Sequence, residues 1–200
     1  MRIDPSDFRA FPLRVHALLH DVPLEDVWVI RLRGGGAGRS IQEVRTVFIA
    51  ATEAAPALVK WLFRIRERIG ALCGWDQPDP DWSTKTYAYR LSPSDRAQST
   101  APAGTPDGRL SFLYRFENEQ LSEVRYATVH AFLSLSVRQT PGGYLAYMAV
   151  YVKPVHRLTR LYMNVIAPFR RLVVYPAMIR NAQRMWAEQF VTTTNPRFPA

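Results

Sequence analysis

The chain is 200 residues long, 48% hydrophobic and 22% charged, which excludes a disordered or fibrous protein and suffices for one domain with a substantial core. Its single cysteine, Cys73, excludes an internal disulfide framework and any multi-cysteine zinc site. A net charge of +9 invites a nucleic-acid reading, yet its cations are scattered from Arg2 to Arg197 without a block of like charge, so no nucleic acid is expected as a partner.

Asp4, Pro5 and Asp7 interrupt the first twelve residues where a secretory signal would be apolar, and Arg160, Arg170 and Arg171 interrupt the most apolar long segment, Leu158 to Met178. A cytoplasmic protein with no membrane span is expected, and contact with a membrane surface stays open. Leu24 to Leu32 reads as a strand with Trp28, Ile30 and Leu32 on one face. Gly34-Gly35-Gly36-Ala37-Gly38 ends it, and Ser40 with Glu43 forms a capping box that opens a helix bearing Ile41, Val44, Phe48 and Ala51. A second helix runs from Pro56, with Leu58, Leu62, Ile65, Ile69 and Leu72 as its stripe, to Gly74.

Trp75 to Ser83 is acidic and proline-rich and reads as a loop, Thr84 to Leu91 as a strand, and Ser92 to Gly108 as a long loop. Arg109 to Glu117 alternates Leu110, Phe112, Tyr114 and Phe116 as a further strand. Thr140-Pro141-Gly142-Gly143 is a hairpin signal. An even loop sets Val137 opposite Ala146, Leu135 opposite Met148, Leu133 opposite Val150 and Ala131 opposite Val152, one apolar face throughout; a slip by one residue would scramble it. The other face, with Tyr126, His130, Phe132, Ser134, Ser136 and Arg138 on one strand and Tyr147, Tyr151 and Lys153 on the other, is expected to be the wetter one. Val155 to about Gln189 reads as one long helix, kinked or split at Pro168 and Pro176. A single domain over 1–190 and a frayed tail over 191–200 complete the expectation.

No catalytic signature stands out. Gly38-Arg39-Ser40 mimics the end of a phosphate loop, but Arg33 occupies the glycine position and Arg39 the lysine position. Asp76, Asp79 and Asp81 lack the calcium-loop pattern, and His16 with His20 lacks a third ligand, so neither a metal nor a cofactor is expected. His130 and Glu123 are the remaining acid–base candidates, and the register turns His130 away from the apolar face.

Asp26-Val27-Trp28 with its glycine turn, Ser122-Glu123-Val124 through Thr128-Val129-His130-Ala131-Phe132, and Pro154-Val155-His156-Arg157 through Ala167-Pro168-Phe169-Arg170-Arg171 to Tyr175-Pro176-Ala177 carry a resemblance. The chain resembles a bacterial family of unknown function within the helix-grip superfamily of START domains, polyketide cyclases and birch-pollen-allergen-like proteins. That resemblance implies an α+β fold: a curved antiparallel sheet wrapped around the C-terminal helix, with an apolar cavity between them. About five strands are countable, so further strands are expected within Phe8 to Leu19 or Trp75 to Gly108. The residues expected to line the cavity are Met148 and Val150 from the sheet, and Tyr162, Val165, Phe169 and Val173 from the helix, with Trp28, Trp61 and Phe112 as neighbours. The expected partner is an apolar or aromatic small molecule. An enzyme of the cyclase, isomerase or hydrolase type and a peripheral lipid-handling protein stand as alternatives. Oligomeric state is not legible.

Overall fold

The computed structural model describes residues 1–57, 59–61, 64, 68, 82–126, 129–155 and 167–191. Two short helices, α1 (Pro5–Arg9) and α2 (Arg14–Leu18), precede strand β1 (Leu24–Arg33) and helix α3 (Ile41–Glu53). Then come α4 (Trp82–Lys85), a 3-10 turn at Tyr87–Arg90, and α5 (Pro93–Gln98). Strands β2 (Pro106–Asp107), β3 (Leu110–Arg115), β4 (Glu119–Arg125), β5 (Val129–Thr140) and β6 (Gly143–Pro154) follow in succession. A π-helical turn at Arg170–Val174 leads into α6 (Tyr175–Phe190).

The sheet has six antiparallel strands in the order β1-β6-β5-β4-β3-β2, curved and open, with the C-terminal helix packed against it in the helix-grip manner. Strands β2 to β6 form a meander, and β1 joins its far edge beside β6. Helices α3 and α6 cover one face, burying Trp28, Ile30, Leu32, Leu135, Val137, Ala146 and Met148. Phe8, Val15, Leu18 and Leu19 from the α1–α2 region, with Tyr87 and Leu91, cover the other. Both faces of the sheet are therefore interior, so the strands carry apolar residues in both phases.

The hairpin register holds pair for pair: Val137 faces Ala146, Leu135 Met148, Leu133 Val150 and Ala131 Val152, across the turn at Pro141 and Gly142. The face expected to be wetter is instead sealed over its central part, with Arg138 and Lys153 exposed and Tyr126 half-buried at its ends. His130, Phe132, Ser134, Ser136, Tyr147 and Tyr151 are all buried beneath the N-terminal helices and the Tyr87 turn. Amphipathic alternation cannot reveal a second covering layer contributed by distant segments.

Thr84 to Leu91 is not a strand but the end of α4 and the 3-10 turn. Thr86 caps that turn by accepting from the Ala88 N–H, and the Glu123 carboxylate on β4 takes the Thr86 hydroxyl and the Tyr87 N–H. Tertiary acceptors override the β preference of the tyrosines. The expected loop from Ser92 to Gly108 contains α5, opened by a capping box between Ser92 and Asp95, and β2; β4, outside both stretches where further strands were expected, completes the six, while Phe8 to Leu19 holds helices and no strand. In β3 the pairing slips between Phe112 and Tyr114, so the two fall on opposite faces, not on one as simple alternation predicts.

The Ser40–Glu43 capping box is present: Ser40 Oγ accepts from the Gln42 N–H, and Glu43 Oε2 accepts from the Ser40 N–H at 3.0 Å. The second helix from Pro56, Cys73 and the Trp75 to Ser83 loop lie largely outside the described residues. Pro176 brings no N–H to the Leu172 carbonyl, and the π-helical turn sits immediately before it.

Candidate functional site

Direct cross-strand partners share a face, and the pairing ladder sorts the α6-facing side of the sheet into rows. One row reads Trp28, Met148, Leu135, Gln120 across β1, β6, β5 and β4. The next reads Asp26, Val150, Leu133, Ser122, Phe112 across β1, β6, β5, β4 and β3. Beyond it lie Val152, Ala131 and Val124.

Closure differs between rows. Trp28, Met148 and Leu135 are sealed within the core formed with α3 and α6. In the next row Val150 and Leu133 are only half-buried, as are Ala131 and Val124 beside them and Val173 on the π-helical turn. An apolar floor thus stays partly accessible between a closed core and a smaller cluster around Val129 and Val152.

Polar groups stand at both ends of that floor. At the β1 end Asp26, fully buried, accepts from Arg170 Nη2 at 2.5 Å and Arg171 Nε at 2.7 Å, with Arg2 Nε at 3.6 Å. At the β3 end Ser122 Oγ donates to Asp107 Oδ2 at 2.7 Å, and Arg45 pairs with the same carboxylate and lies over the Phe112 ring. Two polar atoms of the neighbouring closed row, Trp28 Nε1 and Gln120 Oε1, are buried and have no hydrogen-bond partner among the described residues. The Tyr175 ring meets Trp28 edge-on at 5.5 Å, and burial raises the Tyr175 phenol pKa, so the hydroxyl keeps its proton.

Of the expected lining residues, Trp28, Met148, Val150 and Val173 belong to one packed neighbourhood. Phe112 shares the sheet face but lies three strands from Val150 and under Arg45 and Arg115. Phe169 is 52% exposed and Trp61 51% exposed, so neither contributes to the floor. Tyr162 and Val165 lie outside the described residues. Asp26, Gln120 and Ser122 were missed because polar residues in a strand read as outward-facing; Asp26 nevertheless sits in phase with Trp28 and Ile30, which was the available signal.

The acid–base pair lies on the opposite face. His130 Nε2 donates to Glu123 Oε2 at 2.7 Å, and Arg125 Nη1 faces Nδ1 at 3.2 Å, so Nδ1 is the accepting nitrogen. With Thr86 and Tyr87 also held by Glu123, the pair locks the 3-10 turn to the sheet. Nearby Glu119 accepts from the Arg14 N–H at 2.8 Å, and burial raises its carboxyl pKa. His130 and Glu123 are closed off under the Tyr87 turn and Glu119 under α2, and these groups brace the fold.

Among the described residues no group of His, Cys, Asp and Glu is arranged to hold a metal ion, and no helix is long and apolar enough to cross a membrane. Residues 18–177 match a family described as "Protein of unknown function (DUF2867)". Comparison with curated proteins and with solved structures gives no match.

Proposed function

The chain belongs to that family of unknown function, DUF2867, and on this premise we propose that it binds a small molecule with an apolar or aromatic body on the Leu133–Val150 floor. The observation that carries the reading is the half-burial of Leu133, Val150, Ala131 and Val124 in a face otherwise sealed by α3 and α6. Apolar floors with a few polar groups at their margins suit small-molecule recognition, and the helix-grip arrangement supports the same reading. The polar margins here are Asp26 with its arginines and Ser122 with Asp107.

The test uses phenylnaphthylamine, a neutral apolar dye that brightens on leaving water. The protein should take it up, and Leu133→Trp should abolish uptake while moving the melting temperature by no more than about 3 °C. In a filled core the same enlargement would cost about 1–3 kcal/mol. A dye that stays dark, together with severe destabilisation of Leu133→Trp, would remove the site.

A further inference from the structure

We propose that the outer face of the second helix, bearing Lys60, Trp61, Arg64 and Arg68, is a docking surface for an anionic lipid bilayer. Between Pro56 and Gly74 the described residues 57, 59, 60, 61, 64 and 68 are helical, and the Lys60 N–H donates to the Pro56 carbonyl at 3.1 Å. Val59 is sealed in the core formed with α3 and α6, which fixes the rotation of the helix. At about 100° per residue, Lys60, Trp61, Arg64 and Arg68 then fall within an arc of about 100° turned away from Val59. All four are exposed, Trp61 by 51%.

Charge and chemistry name the partner. Lys60, Arg64 and Arg68 form no ion pair among the described residues. From Pro56 to Gly74 the sequence sets Lys60, Arg64, Arg66 and Arg68 against one acid, Glu67, and the next aspartate is Asp76. A half-exposed indole among unpaired cations fits a bilayer surface: the ring settles at headgroup level, and the cations reach the anionic lipids around it. A nucleic-acid duplex would engage the same cations through its phosphates, but its backbone offers the indole no apolar layer.

The test is cosedimentation at low salt with vesicles of phosphatidylglycerol and phosphatidylcholine in equal parts, and with vesicles of phosphatidylcholine alone. The protein should sediment with the mixed vesicles and stay behind with the neutral ones. Arg64→Gln and Arg68→Gln should each weaken the partition about fivefold, the worth of one cation at an anionic surface, and Trp61→Ser should weaken it as well. Because these side chains are exposed, the melting temperatures should move by no more than about 3 °C. Arg33→Gln is the control of equal charge. Arg33 precedes the glycine turn that opens α3, whereas the second helix follows its far end, about 20 Å along the thirteen residues of α3. Its loss should weaken binding by less than about twofold, as a cation too distant to meet the same surface. Equal losses in Arg33→Gln and Arg64→Gln would reduce the attraction to the overall charge of +9 and overturn the helix face, as would wild-type binding by Trp61→Ser. Equal sedimentation with neutral vesicles, or with neither kind, would overturn the bilayer. A labelled DNA duplex bound in place of vesicles, and released by the same substitutions, would overturn it in favour of a nucleic-acid partner.

Discussion

Glu119 shifts in the opposite direction from Asp4, Asp21, Glu43 and Asp95, whose pKa values are lowered. Asp21, bridged by Arg90 on both oxygens, has its pKa held below the usual carboxylate range, chiefly by the hydrogen bonds from Arg90, so what it contributes is lost as the solution is acidified. Burial raises Glu119 instead, so the folded state holds its proton more tightly than the unfolded chain does. Its stabilising contribution is therefore full below the unfolded pKa and lost as pH climbs through the folded one. Glu119→Gln keeps an oxygen for the Arg14 N–H and never ionises, so the variant should gain on the wild type at neutral pH. That gain should shrink toward about pH 4, near the unfolded carboxylate pKa. Melting curves across that range check it; a variant weaker than wild type at neutral pH would mean that the charged carboxylate is needed. Such a role was not legible in sequence, because Glu119 becomes interior only through α2, a segment more than a hundred residues earlier.

Elements whose partners are local were the ones legible in sequence. The β5–β6 hairpin closes over the turn at Pro141 and Gly142, so alternation and turn chemistry determine its register together. The 3-10 turn at Tyr87–Arg90 donates its Tyr87 N–H to the Glu123 carboxylate on distant β4, an acceptor that its own stretch of sequence does not announce. The candidate floor divides the same way: Met148 and Val150 follow from alternation, whereas Gln120 and Ser122 needed the β4 boundaries. The two turn glycines provide an internal comparison. A Cβ on Gly143 would lie 2.2 Å from the Leu32 carbonyl oxygen, at a φ of +137°, and neither β1 nor β6 can give way without losing the ladder. Gly143→Ala should cost at least about 2 kcal/mol. Gly142 has open space around its Cβ position, so Gly142→Ala should stay within about 0.5 kcal/mol. Urea denaturation of the two variants measures the difference, and equal effects would refute the steric account.

Across the whole molecule the meander from β2 to β6 is assembled from neighbours in sequence, while β1 must find β6 across more than a hundred residues. Asp26 then draws the Arg170–Val174 turn onto β1, fixing the C-terminal helix to the first strand. The consequence appears during synthesis. A ribosome releases β1 and α3 early, with Trp28, Ile30 and Leu32 on one side and Ile41, Val44 and Phe48 on the other, long before β6 and α6 emerge to receive them. Loop closure over that span is slow compared with hairpin formation, so the nascent N-terminal third must wait as exposed apolar chain. A chain stalled after residue 155 should remain protease-sensitive over β1, and release of the full-length chain should convert it to resistance in one step. Resistance of β1 in the stalled chain would show that the N-terminal segment folds without its C-terminal clasp. For this fold, the arrival of α6 decides whether β1 escapes proteolysis.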